Sequence, residues 1–411
     1  MTLTLDAILA ARERIRGIIS PTPLLEDEQL SAVTGARIVY KAEHTQRSGS
    51  FKIRGAYNKL SQLTDAERAC GVIAPSAGNH AQGVALAAKL LGIPATIVMP
   101  ERAPLTKVAA TRRHGAEIIL HGGSFDDAVA HAHTLSVARG LTFIHAFDDE
   151  QIIAGQGTIG LELAESLPEM TTLVVPIGGG GLIGGSAFAL KQYLPQVRVI
   201  GVQAVGCAPI IESLRAGTPV AATSARTIAD GIAVKRPGDL TLPLIQRYVD
   251  TVVTVDDDAI ARAIAHAVQS VRQVVEGAGA AGLAAVLSGA VTLGERETVC
   301  VLLCGGNIDA NLLSRVLEQD AVRQGRYIVV HATVDDRPGN LAPLISRVAE
   351  AGANIIDIFH RRAVWLAPLD RVGVELILEV RDETHGAQVL EHLARTGYAV
   401  ERVTPARWPE R

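Results

Sequence analysis

A lone lysine, Lys52, stands where a polar run turns into an amphipathic helix, in HTQRSGSFKIRGA at residues 44–56. Phe51 lies beside it, and Ser48, Gly49 and Ser50 just ahead would let the backbone come close to a bound group. A solvated lysine is the default reading of any single lysine, yet such a residue needs neither the ring nor the small residues. A lysine amine whose surroundings lower its pKa can instead form a Schiff base with a carbonyl compound.

A second segment, TLVVPIGGGGLIGGSAFAL at 172–190, reads as a strand that ends in glycines and passes into a helix. Such a junction turns backbone N–H groups toward an anion at a helix N-terminus, and side chains would block the approach. Tight helix–sheet packing accounts for one or two of the glycines, not for Gly178, Gly179, Gly180, Gly181, Gly184 and Gly185 together. Gly179, Gly181 and Gly184 match G-x-G-x-x-G, the dinucleotide fingerprint. That chemistry wants an acid at the end of the next strand, where VRVIGVQAVG offers Gln203. No Lys-Ser or Lys-Thr follows, which excludes a P-loop. A monophosphate cradle remains, held by Gly178 to Leu182. A reactive lysine and a monophosphate cradle in one chain point to pyridoxal phosphate.

Two further segments have the same character. APSAGNHAQG supplies Ser76, Asn79 and the N–H groups of a helix start, suited to a substrate carboxylate and a phenolic oxygen, although an ordinary capped turn reads the same way. In VLLCGGNID, Cys304 follows a buried strand and precedes glycines. A structural thiol is the usual reading there; beside a pyridine ring it could be a neutral hydrogen-bond partner.

The elements that must position these residues are legible as alternation. Short β-rich runs (ARIVYKA, GVIAPS, PATIVMP, AEIIL, LTFIHAF, TLVVPI, VRVIGVQA, TVCVLLC) alternate with helical patterns such as AQGVALAAKLLG and FDDAVAHAHTLSVARG. This predicts an α/β fold with parallel sheets covered by helices, and ligands beyond the carboxyl ends of the strands. All four segments fall at such junctions. After about residue 325 the pattern becomes βαββαβ, with Leu341, Leu344, Ile345 and Val348 on one helix face and Val374, Leu376, Leu378 and Val380 alternating along a strand. That order predicts a separate ferredoxin-like domain, joined through EQDAVRQGR.

Bulk composition narrows the function classes. Of 411 residues, 48% are hydrophobic and 20% charged, the mark of a globular interior. A net charge of −4 gives no reason to expect nucleic acid or an anionic membrane as partner. Cys70, Cys207, Cys300 and Cys304 form no CxxC pair and suggest a reducing compartment. The N-terminus reads as an amphipathic helix rather than a signal peptide, and no run is apolar enough for a membrane helix, so a cytoplasmic location is expected.

In combination and in order, SGSFKIRGA, SAGNHAQG, AGQGTIGLE, PIGGGGL, EGAGAAGLA and CGGNID resemble the threonine dehydratases (threonine ammonia-lyases) of the fold-type-II pyridoxal-phosphate family, with one C-terminal ACT regulatory domain. The resemblance covers nearly the whole chain. It implies a two-lobed catalytic domain at 1–320, a smaller lobe at about 47–150 inserted in a larger one, and an ACT domain at 326–405. It further implies that Lys52 carries the cofactor and removes the substrate α-proton, that Phe51 flanks the ring, and that Asn79 bonds the ring oxygen. Gly178 to Leu182 would hold the phosphate and Cys304 would face the pyridine nitrogen, where a neutral partner favours elimination. Ser76 with the loop Ala77, Gly78, Asn79 and His80 would bind the substrate carboxylate.

The implied reaction takes L-threonine to 2-oxobutanoate and ammonia. In the C-terminal domain the DRPGNL turn, with Asp336, Gly339, Asn340 and Leu341, resembles an effector loop, which implies a homo-oligomer (dimer or tetramer) controlled by isoleucine or valine. A purely structural pairing domain is the alternative. Serine racemases carry a second serine in the SAGNH loop, where this chain has Ala77. Divalent-cation-dependent relatives place two acids after the strand near Gln203, where this chain has Cys207 and Pro209, so no bound metal is expected. His131 and His133, two apart on a helix, read as solvated. Competing functions are dehydration of L-serine or 3-hydroxyaspartate, an NAD-dependent oxidoreductase, and a non-catalytic amino-acid sensor.

Overall fold

A computed structural model describes residues 3–361 and 370–403. The chain divides into two compact units, Met1–Leu313 and Ser314–Arg411.

In the first unit ten strands form two sheets: β1 (Leu24–Glu26), β2 (Arg37–Lys41), β3 (Val72–Pro75), β4 (Ala95–Met99), β5 (Glu117–Leu120), β6 (Thr142–Phe143), β7 (Thr172–Pro176), β8 (Arg198–Ala204), β9 (Thr251–Val255) and β10 (Thr298–Leu302). The larger sheet has the order β1-β2-β10-β7-β8-β9 and the smaller the order β5-β4-β3-β6. All neighbours are parallel except β1 with β2. Every residue of β3, β7 and β10 is buried, as expected of strands covered on both faces rather than alternating. The smaller sheet falls in sequence between β2 and β7 of the larger one, the arrangement expected of an inserted lobe.

The helix that opens with Lys52, Lys52–Leu60, is fixed by two devices. Its Gly55 crosses Gly155 of the helix Glu150–Ser166 so closely that a Cβ on Gly155 would lie 2.5 Å from the Gly55 Cα. On the same helix Arg54 is fully buried. It donates five hydrogen bonds, to both carboxylate oxygens of Glu43, both of Glu162, and Thr158 Oγ1. Lys41 Nζ adds a contact to Glu162 at 2.7 Å, and Thr22 donates to Glu43. Breaking one member of such a buried set costs far more than the set contributes net.

LTFIHAF is a strand over only two residues. After pairing with Val72 and Ile73 the chain leaves the sheet, and residues 145–149 run toward the carboxyl ends of the strands instead.

The second unit contains β11 (Tyr327–Asp335), β12 (Asn354–Arg361), β13 (Arg371–Glu379) and β14 (Ala399–Val403), with helices Leu341–Glu350 and Glu383–Arg395. The antiparallel order β12-β13-β11-β14 is that of a ferredoxin-like βαββαβ domain. Leu344, Val348, Val389 and Leu393 of the two helices share a core with Ile328, Val330, Leu376 and Leu378. The joining segment differs from the expected linker. The helix Ala310–Arg323 continues through most of EQDAVRQGR, because nothing breaks it before Gly325, whose φ is +67°. The expected span 326–405 includes 362–369 and 404–405, which lie outside the described residues. Among the described residues no helix is long and apolar enough to cross a membrane.

Candidate active site

The four glycine- and serine-rich junctions meet at one cavity of about 750 Å³ in the first unit. Phe51, Lys52, Ser76, Ala77, Gly78, Asn79 and His80 line it, as do Gly178 to Leu182 and Cys304. It opens where β3, β7 and β10 give way to loops, at the carboxyl ends of parallel strands.

Lys52 Nζ donates to the Ala146 carbonyl at 2.8 Å and lies 5.2 Å from the centre of the Phe51 ring. Burial pulls its pKa down to about 8, against the opposing pull of Cys304 and Glu276. The amine is therefore far easier to deprotonate than a surface lysine. Cys304, 4% exposed, sets its Sγ 3.6 Å from the Ala278 carbonyl. Burial, reinforced by Glu276, pushes that thiol well above its ordinary value, so the sulfur is neutral.

The glycine loop is a cradle. Gly180 has φ +98° and precedes the helix Gly181–Tyr193 without a side-chain cap. Among the described residues no hydrogen bond reaches the backbone N–H groups of Gly178, Gly179, Gly180, Gly181 or Leu182. Five unpaired donors at a helix start suit a dianion. A Cβ on Gly179 would lie 2.3 Å from the Phe147 ring, so the cradle admits no larger residue there. An amine of lowered pKa, a phosphate cradle and the flat face of Phe51 together fit pyridoxal phosphate.

In the same cavity Ser76 Oγ accepts from Gly78 N at 3.2 Å and is half-buried. Ala77 offers no hydroxyl. His80 contributes less than its place in the motif suggests. Its ring is buried, donates through Nε2 to the Ile144 carbonyl at 3.0 Å, and is held neutral by burial and by Lys52, with a pKa of about 3.

Sequence reasoning passed over several cavity residues. Ala146 holds the lysine, and Phe147 covers the cradle; both sit in the segment misread as strand. Glu276 and Asn307 both contact Asn79, and burial together with Asp230 raises the Glu276 carboxyl to about 7. Their motifs, EGAG and CGGN, were visible, but no local pattern says which side chain in them faces a ligand. At the rim Lys107 pairs with Asp230 and Lys235 with Asp126. His133 is exposed but stacks on Phe143 at 4.1 Å and lines the cavity, while His131 stacks on His121, so neither is simply solvated. Gln203 and Cys207 are turned inward, Gln203 accepting from Ile210 N and Cys207 lying against the Val234 carbonyl.

An α/β core with a lysine and a glycine cradle at the carboxyl ends of its strands defines a cofactor-dependent enzyme of fold type II. Residues 15–305 match the family described as pyridoxal-phosphate dependent enzyme, and the chain belongs to that family. It is 46% identical to an L-threonine ammonia-lyase of Thermotoga maritima over 401 residues, 98% of this chain and 100% of that one. Among solved structures it is similar to maize serine racemase, with a TM-score of 0.74, 37% identity and 79% of this chain and 99% of that one covered. It is also similar to threonine deaminase isoform 2 from Solanum lycopersicum, with a TM-score of 0.72, 39% identity and 76% and 91% covered.

Proposed function

We propose that the protein is an L-threonine ammonia-lyase, converting L-threonine to 2-oxobutanoate and ammonia. The observation that carries this reading is the Lys52 amine, with a pKa lowered to about 8, in one cavity with a phosphate cradle and a neutral Cys304. The Thermotoga relative supports it, because the likeness extends through both units.

Pyridoxal phosphate supplies the electron sink for the charge left at Cα once the α-proton is gone. The chain supplies the rest. Gly178 to Leu182 would hold the phosphate, Phe51 would flank the ring, and Asn79 would meet its phenolic oxygen. Lys52 would carry the cofactor and would take the α-proton; its Nζ donates to the Ala146 carbonyl at 2.8 Å. Ser76 and the loop from Ala77 to His80 bind the substrate carboxylate. Cys304, kept a thiol by burial, would offer the pyridine nitrogen a neutral partner, and a sink weakened in that way would favour elimination over transamination. Ala77 leaves one face of the substrate without the second hydroxyl attributed to serine racemases.

The C-terminal unit is read as an ACT domain that binds a branched-chain amino acid. Its turn carries Asp336, whose N–H donates to the Asp370 carbonyl, Gly339 at φ +95°, and Asn340, whose side chain reaches the Asp335 carbonyl at 3.3 Å; Leu341 starts the following helix. Oligomeric pairing and a role in isoleucine biosynthesis or threonine catabolism belong to the same reading.

The test is the visible spectrum of the purified protein before and after L-threonine, with 2-oxobutanoate assayed alongside. A band that shifts on mixing and is missing from K52A supports the proposal. A normal cofactor band with product from L-serine and none from L-threonine would replace the substrate. Isoleucine leaving activity unchanged at every threonine concentration would remove the regulatory part.

A further inference from the structure

Glu276 is a carboxylate for which the proposed reaction has no task. It is 5% exposed and lines the cavity. Although it immediately precedes the helix Gly277–Leu287, its side chain makes no capping bond there. It accepts instead from Asn79 Nδ2 at 2.5 Å and from the backbone N–H of Asn307. Asn307 Nδ2 donates to Asn79 Oδ1 at 2.5 Å and to the Ser48 carbonyl at 3.1 Å. Gly305 closes over this set: a Cβ there would lie 2.3 Å from Glu276 Oε1 and 2.8 Å from Asn79 Nδ2.

An isolated asparagine amide can turn over and exchange its oxygen for its nitrogen. Here one orientation satisfies both neighbours, with the oxygen on the Asn307 amide and the nitrogen on the Glu276 carboxylate. The reverse orientation would set donor against donor and acceptor against acceptor. Asn79 then keeps one N–H in reserve, on a residue that lines the cavity.

We propose that Glu276 is a positioning residue, which with Asn307 fixes the Asn79 amide so that its remaining N–H serves the cofactor. The inference rests on the reading of Asn79 as a cofactor contact. A carboxylate suits the place because both of its partners donate. Glutamine would offer one acceptor oxygen where two donors converge, and would present its own NH2 to one of them.

The experiment is a double-mutant cycle on the binding of pyridoxal phosphate to the apo-protein, read from the visible absorbance of the bound cofactor. E276A is expected to raise Kd about tenfold in the parent, and N79A by at least as much. In the N79A background E276A should change Kd by less than about twofold, because its action passes through Asn79. A purely structural role would instead lower the melting temperature and cost the same factor in both backgrounds. That equal loss, or an unchanged Kd in the E276A single variant, overturns the proposal. If N79A alone leaves Kd unchanged, Asn79 is no cofactor contact and the inference falls with that reading, a distinct result. Should E276A fail to fold, the near-isosteric E276Q takes its place in the same cycle, and a loss that vanishes in N79A is again the supporting result.

Discussion

Replacing Arg54 with alanine removes a guanidinium that is completely buried and makes five hydrogen bonds. Glu162 keeps Lys41 at 2.7 Å and is 22% exposed, so part of its charge stays compensated. Glu43, with a fully buried side chain, keeps only its bond from Thr22 among side chains. Stranding a buried charge in this way costs about 3–5 kcal/mol. For a unit of this size that loss lowers the melting temperature by roughly 5–10 °C. The sign of the pH dependence follows from Glu162. Burial alone would raise its pKa, but Arg54 and Lys41 outweigh burial and hold it below the ordinary value. In the parent its contribution is complete above the unfolded carboxylate range and lost as pH falls through the lowered folded value. In R54A burial is opposed by Lys41 alone, so the Glu162 pKa moves up and this carboxylate contributes less stability at neutral pH. The gap between the two proteins should be widest at pH 7 and above and should narrow as pH falls from about 5 through the lowered folded value. Differential scanning fluorimetry across that range measures it. A variant melting within about 2 °C of the parent at pH 7, or a gap that does not narrow, would refute the reasoning.

Capture of pyridoxal phosphate by the apo-protein should speed up about tenfold per pH unit below 8 and level off above it, because the neutral amine of Lys52 reacts; stopped-flow absorbance shows whether the rate is still climbing at pH 9.5, as for an ordinary lysine. G155A places a Cβ 2.5 Å from the Gly55 Cα and 2.7 Å from the Arg54 carbonyl, and should cost about 1–3 kcal/mol or more, with lower cofactor occupancy because the helix bearing Lys52 must shift. Unchanged melting would show that the crossing has slack. A77S adds a hydroxyl to the cavity loop at residues 76–80, and D-serine should then appear from L-serine on chiral chromatography; its absence would show that this position does not separate elimination from racemisation.

The parallel sheets and the C-terminal βαββαβ order were legible because β7 and β10 are short, continuously buried runs while β13 alternates buried with half-buried residues from Val374 to Glu379. Lys52, the Gly178 to Leu182 cradle and Cys304 were legible for a different reason: each lies at the edge of a loop that local patterning marks, Lys52 where the loop enters a helix and the others where a strand ends. What stayed hidden depends on contacts between segments far apart in sequence. Arg54 reads as one more polar residue on an amphipathic helix until Glu43 and Glu162 close on it. Asn79 looks like a free amide until Glu276 and Asn307 arrive from 197 and 228 residues away. LTFIHAF has the composition of a strand, but the smaller sheet pairs only its first residues and the remainder is used to wall the cavity.

The burial that keeps the cavity sulfur neutral also decides how the protein ages. Thiolates, not thiols, react with oxidants and alkylating agents. Cys304 and Cys207 are both raised by burial, and Cys300 is pushed up to about 12. Cys70 alone among the four is exposed. Iodoacetamide at neutral pH should therefore mark one sulfur quickly, one that does not line the cavity, and spare the other three. The enzyme can lose its most accessible thiol to air without losing the sulfur that lines its cavity.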